Sequence, residues 1–562
     1  MAIRMFRSTT GLSPFSCAAL VALFVGAAAC STNTVVRGEP QPGAPADDGT
    51  TTDTDPLDPT TIGDPTDKDA PSPPLVSGLA ITEIAVFQAV KVSIAKDGKV
   101  VAATQRSAPV VVGRPALIRV YVTPGASYAS SSVTAELRLV DGTTRLPVLK
   151  DTKTLADEST DEDLESTFNF EVPAESLPAG VTYQVLLTSK TGAVPEGSNT
   201  ARFPVAGGVQ DLAAKTSGKL KIVVVPVKYD FDGSGRTPDV SAAQLERYKQ
   251  TFMSTYAATD VEITARAPWS YAAAIKGNGT GISEVLNAIT NLRKTDKAAS
   301  DVYYYGAFAP TSSFSSYCSG GCVTGLSTVI ENPKTSFLRA SVGVGFPGQD
   351  SVNTAAHEVG HAHGREHSPC GGAQNVDTDY PHTGGAIGVW GYDLFTKKLI
   401  NPSKGRDFMG YCPNEWVSDY TFSALFDRIA AVNGSTSTSG GSSAGSGSGG
   451  GSMHATPQGQ VFATPQTFRM ATVAADGSMS WGGEFDLAEE PTDGEARVAT
   501  FASASGALLG THTARFYPYD HLPGGVLIVP PAAKSSMLAS KARVVPTWSS
   551  VRISGLANAL PR

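Results

Sequence analysis

The 562-residue chain has only six cysteines, no cluster of basic residues and no apolar run long enough to cross a membrane. Without a Lys/Arg run, nucleic acid is excluded as a partner class. No segment approaches 18 apolar residues, so no membrane-spanning helix is expected. The formal net charge of −8 is unevenly placed: residues 31–77 carry nine acidic against two basic residues. Residues 1–30 add two basic residues and no acid, which leaves −3 for everything that follows. The folded part is therefore nearly neutral. With 41% hydrophobic residues it can bury real cores, which excludes a wholly disordered chain. A chain of this length is expected to form about three domains.

Arg4 and Arg7 precede an apolar run from about Cys17 to Ala29, the layout of a secretory signal peptide over residues 1–29. Ala27-Ala28-Ala29-Cys30 resembles a bacterial lipobox, which would make Cys30 the lipidated first residue of a membrane-anchored protein. With Ser31 rather than Asp behind it, that reading implies the outer membrane or cell surface. Ala-x-Ala also fits an ordinary signal-peptidase site and simple secretion, and both routes stay open. Residues 30–78 are rich in Asp, Thr, Pro and Gly with almost no aliphatic side chains. Such a segment cannot repay its ordering entropy and is expected to be a disordered acidic tether.

From 79 to 205 the pattern alternates with period two. Ile118, Val120 and Val122 form one set, Val133, Ala135, Leu137 and Leu139 a second, and Val181, Tyr183, Val185 and Leu187 a third. Hairpin signals at Asp97-Gly98 and Asp141-Gly142 complete the signature of a β-sandwich. The pattern then changes over 216–433. Leu220–Val227 reads as a buried strand, Leu245, Tyr248, Phe252 and Tyr256 as one face of a helix, and Ile282, Leu286, Ile289 and Leu292 as another. Val302–Phe308 returns as a strand, so a mixed α/β layer is expected. Residues 434–453 form a Gly/Ser linker, and 454–562, with short segments such as Arg497–Phe501 and Gly525–Val529, read as a small C-terminal β-domain.

Five of the eight histidines lie between His357 and His382. His357 and His361 are four apart, so on a helix both rings project from one face and can share a metal. Glu358 is rotated by one residue from that face, within reach of water beside the metal. Gly364 can take positive φ and end the helix, turning the chain so that His367 meets the same ion. Three imidazoles leave a fourth tetrahedral position open, the mark of a catalytic zinc site.

His357-Glu358-x-x-His361-x-x-Gly364-x-x-His367 resembles in full the signature of the metzincin clan of zinc endopeptidases. The clan's Met-turn is matched by Asp407-Phe408-Met409-Gly410-Tyr411-Cys412. The resemblance implies an α/β metzincin-like zinc-protease domain with Met409 beneath the metal. It implies a Zn2+ cofactor, Glu358 as general base and a protein or peptide substrate. Tyr411 stands where the astacin-like and serralysin-like branches carry a tyrosine near the zinc, although those branches have Ser where this chain has Asp407. Val342–Phe346 falls where metzincins place an edge strand that pairs with substrate.

His363 points away from the ligand face and is expected at the surface or behind the ligands; His382 is not expected to bind metal. In an exported chain Cys318, Cys322, Cys370 and Cys412 are expected to form two disulfides, and Cys318–Cys322 with Cys370–Cys412 is the favoured pairing. A four-thiolate zinc site is the alternative. Because no cysteine lies between Cys30 and Cys318, a propeptide thiol plugging the zinc is not expected. Asp230–Gly235 begins like a calcium loop but lacks its closing acids, and reads as a turn. The functional expectation is an exported zinc endopeptidase acting on extracellular proteins. Two alternatives stand beside it: a non-catalytic zinc-containing surface binding protein, and a zinc hydrolase of a non-peptide amide.

Overall fold

A computed structural model describes residues 75–189, 199–434, 459–532 and 547–562. The expected signal peptide, Cys30, the tether up to residue 74 and the Gly/Ser linker beyond Gly434 lie outside the described residues. Residues 75–78, assigned to the tether by composition, are already part of the fold. Leu75 and Val76 are buried, and the Val76 amide donates to Leu187 O at 2.9 Å. Two adjacent apolar residues there find a sheet to cover.

The first body consists of two antiparallel sheets, one built around Leu79–Phe87 and Ala116–Pro124, the other around Ser132–Asp141 and Thr182–Thr188. Ile84, Val86, Ile118 and Val120 from one sheet and Val133, Leu137, Tyr183 and Val185 from the other belong to one buried cluster. Their alternation in sequence is what gives each sheet a dry face.

The central sheet has six strands: β1 (Lys219–Tyr229), β2 (Asp260–Ala265), β3 (Trp269–Tyr271), β4 (Val302–Phe308), β5 (Gly325–Ser327) and β6 (Ala340–Val344). Their order is β2-β1-β4-β6-β5, with β3 beside the far end of β1. All pairings are parallel except β5 against β6. Helices α1 (Ala242–Thr255), α2 (Ile282–Thr295), α3 (Gln349–Ala362) and α4 (Asp419–Val432) accompany this sheet. Gly306 of β4 lies against Ile289 of α2, and Gly343 of β6 against Thr354 of α3. Because Gly343 pairs with Ala307, these two contacts are on opposite faces. The edges of the sheet are β2 and β5. Val342–Phe346, expected at the edge, begins inside β6, which is covered on both sides by β4 and β5. Its all-buried pattern is that of an interior strand.

The last body is a seven-stranded antiparallel sheet that runs, in spatial order, Met479–Glu489, Val461–Val473, Gly525–Val529, Leu508–Pro518, Glu495–Ser503, Trp548–Ile553 and Ala559–Pro561. It packs on the central unit. Asn287 Nδ2 donates to Thr472 Oγ1 at 2.5 Å and Asn291 Nδ2 to Gly482 O at 2.6 Å. Buried Asp493 accepts from Asn332 N, Thr335 Oγ1 and Tyr517 OH. The first body is joined to the central unit through Arg114, whose fully buried guanidinium donates to Tyr256 O at 2.8 Å and Ala258 O at 3.0 Å, beyond the end of α1.

Candidate metal centre

Helix α3 buries Val352, Ala355, Ala356, Val359 and Ala362, an apolar stripe that seats it on the sheet. The stripe fixes where its polar residues emerge. His357 Nε2 and His361 Nε2 stand 3.1 Å apart. Two ligands of a tetrahedral ion with bonds of 2.0–2.1 Å are about 3.3 Å apart, so this pair has the spacing of one metal. Gly360 faces Met409, whose sulfur would collide with any Cβ there. Gly364 has φ +82°, and a Cβ on it would meet Arg428 and lie 2.8 Å from Ile330 O. This turn carries the chain to His367, whose backbone is held by Asn375 O and Asp377 N.

Each of the three rings is oriented by a main-chain carbonyl. Nδ1 of His357 donates to Phe408 O at 2.7 Å, that of His361 to Arg365 O at 2.5 Å and that of His367 to Gln374 O at 2.5 Å. Carbonyls only accept, so the proton is fixed on Nδ1 and each Nε2 presents a lone pair. Burial, then the neighbouring imidazoles of His367 and His521, pushes His361 well below the ordinary histidine value, which keeps it in the neutral form that binds metal. The donor set therefore fits a divalent cation.

Glu358 is buried beside them. Gly325 of the edge strand sits directly over it, and a Cβ at that position would lie 2.5 Å from the Glu358 carboxylate. Below the rings, the turn through Met409 is organised by buried Asp407. Its carboxylate accepts from Met409 N and Ser418 N, both at 2.9 Å. The departure from Ser at this position thus has a structural function of its own. Tyr411 OH lies 3.0 Å from His367 Nε2, and the Cys370–Cys412 disulfide ties the loop after His367 to the residue after Tyr411. The second disulfide joins Cys318 to Cys322, so no thiolate remains for a four-cysteine zinc site.

His363 is not at the surface. It is buried against Tyr303, with rings stacked at 4.1 Å, and burial pushes it down to about 3. His382 pairs with Asp419 at 2.7 Å, outside the cluster. Asp232, in the turn that resembles a calcium loop, bonds to Ser234 and Arg236.

Sequence reasoning missed two residues. Asp520 and His521, in the loop between strands Leu508–Pro518 and Gly525–Val529 of the last sheet, reach into the same pocket. Donor atoms of His357, His361, His367 and His521 all lie within 4.8 Å of one another. Asp520 Oδ2 is 3.2 Å from His361 Nε2, and His521 Nε2 is 3.0 Å from Glu358 Oε1. The only signal in sequence is an Asp-His pair in a Pro- and Gly-rich turn, 154 residues beyond the last ligand of the motif.

A family model described as Peptidase M66 matches residues 338–415, the span that contains the three histidines, Glu358, Met409 and Tyr411. Over that span the chain is similar to a metallopeptidase family, which implies a hydrolase acting on protein or peptide substrates. No curated protein matches the chain. Two disulfides are those of a chain that folds in an oxidising compartment. Among the described residues no helix is long and apolar enough to cross a membrane.

Proposed function

We propose that the chain is an exported zinc endopeptidase of metzincin type, with its α/β catalytic unit between two β-bodies and its mature N-terminus anchored through Cys30. The observation that carries the proposal is the meeting of three carbonyl-oriented Nε2 atoms, one buried carboxylate and an antiparallel sheet edge at one place. When bound, zinc supplies Lewis acidity to the scissile carbonyl and to water. His357, His361 and His367 hold it. The edge strand Gly325–Ser327 offers main-chain groups to an extended peptide, which suits a polypeptide better than a small amide. Glu358, beneath Gly325, takes a proton from the attacking water and passes it to the leaving amine. The Tyr411 hydroxyl donates to the oxygen that becomes negative as the carbonyl is attacked.

Casein and peptide-library cleavage by the purified chain, with and without a chelator, tests this reading. Cleavage that a chelator abolishes and zinc restores supports it. A chain that binds zinc and cuts no polypeptide, even with Asp520 and His521 replaced, overturns it.

A further inference from the structure

The segment Tyr519–Leu522 lies where an extended substrate would lie. Tyr519 bridges Thr328 in antiparallel register, continuing the edge strand. The Ser327 amide donates to Asp520 Oδ1 at 3.1 Å, and the Asp520 amide donates to Ser327 O at 3.3 Å. Asn375 Nδ2 holds the Asp520 carbonyl at 3.3 Å, and Leu522 packs over Gly279. The Ser327 amide and carbonyl, edge groups that a peptide would use, are therefore already paired. The side chains occupy the rest of the site. Asp520 is fully buried and faces His361. The His521 ring lies between Tyr411 and Glu358, with Nδ1 2.5 Å from Tyr411 OH and Nε2 3.0 Å from Glu358 Oε1. Its donor atom belongs to the same close group as those of His357, His361 and His367.

We propose that Asp520 and His521 form an intramolecular plug in which His521 is the fourth protein ligand of the metal and Asp520 is the positioning residue that locks the segment to the edge strand. A fourth imidazole fills the position a catalytic site leaves open, turning the centre into the closed four-ligand type. The peptidase is latent until the loop withdraws or the last sheet is displaced. The plug uses neither a propeptide nor a thiol, and its loop is held at both ends by a sheet docked on α2. The regulatory consequence rests on the endopeptidase reading; the ligation does not.

The test uses the full chain loaded with Co2+ or Zn2+, the wild type beside His521→Gln and Asp520→Ala/His521→Ala. His521→Gln keeps size and polarity, so it remains informative if the double variant folds poorly. Three readouts are taken: the visible spectrum of the Co2+ form, the rate of zinc loss to a chromogenic chelator, and hydrogen exchange at the Ser327 amide. The expected result is an altered Co2+ spectrum in both variants and zinc loss faster by about 10-fold or more. Ser327 is expected to exchange faster in the double variant. Peptide cleavage rises by about 10-fold or more if the open state is below roughly a tenth of the population. Unchanged spectrum, zinc loss and exchange overturn the plug. Weaker metal binding with cleavage reduced in both variants also overturns it, because His521 would then be a ligand that catalysis requires. Changes in all three metal and exchange readouts with no polypeptide cut by any form support the plug and remove the endopeptidase reading instead.

Discussion

The hydroxyl of Tyr411 lies 3.0 Å from Nε2 of His367, across 44 residues of chain. Its position is fixed by the main chain, since the Tyr411 amide donates to Cys370 O at 3.2 Å. On the proposed function, a hydroxyl held there assists the reacting carbonyl. In a chain relieved of Asp520 and His521, Tyr411→Phe is expected to lower kcat by about 10²-fold with KM nearly unchanged and metal content retained. Steady-state kinetics on a cleaved library peptide checks this; an equal fall in metal content would assign Tyr411 to the metal shell alone.

The Cys370–Cys412 bridge closes a loop with a sequence separation of 42 between the third histidine and the methionine turn. Loop-closure entropy gives about 4 kcal/mol for a loop of this size. Cys370→Ser/Cys412→Ser is therefore expected to lower the unfolding midpoint. It should also release metal faster, because the Ser368 amide, just before the bridge and next to His367, donates to Met409 O within the closed loop at 3.1 Å. Thermal unfolding and chelator competition separate the two effects.

Arg114 joins the first body to the central one by donating to Tyr256, Ala258 and Met253 carbonyls with no carboxylate partner among these contacts. Burial pushes its guanidinium down to about 9. Arg114→Met leaves those buried acceptors unsatisfied and is expected to destabilise the chain by about 3 kcal/mol or more. Urea unfolding followed by tryptophan fluorescence reads this. A loss near zero would mean that the two bodies are not coupled through Arg114.

His382 is raised above its ordinary value of 6.5 by its hydrogen bond to Asp419. A raised folded-state value means the protonated form is the one the fold favours. The pair's contribution is complete below about pH 6.5 and is lost as pH rises through the raised value. Stability measured between about pH 6 and 8 should fall more steeply in the wild type than in His382→Gln. Parallel profiles would contradict this.

Much of the central architecture was legible because its periodicities are local. Val302–Phe308 is a strand over its full expected length, and the stripes Tyr248/Phe252 and Ile282/Leu286/Ile289 are buried faces of α1 and α2. His357 and His361 needed only helical spacing to be brought together, and Gly364 only its freedom at positive φ. The edge strand was misplaced because a run such as Ala340–Val344 reads alike at an edge or in the interior; which it is depends on whether Gly325–Ser327 pairs beside it. Asp520 and His521 were invisible for a similar reason. Nothing within their own turn records that the last sheet docks on α2, and it is that docking, through Asn287, Asn291 and Asp493, that delivers them to the metal centre.

The central claim is that His357, His361 and His367 hold a metal at which Glu358 moves the proton of peptide hydrolysis. Its most direct test is a zinc titration of the metal-free Asp520→Ala/His521→Ala chain, with peptide cleavage followed at each addition and the same chain carrying Glu358→Gln alongside. Activity is expected to rise in step with zinc and to saturate at one zinc per chain. The Glu358→Gln form should bind zinc equally and cut more slowly by about 10²- to 10⁴-fold. Zinc bound at that stoichiometry with no polypeptide cleaved, or cleavage undiminished in Glu358→Gln, would contradict it.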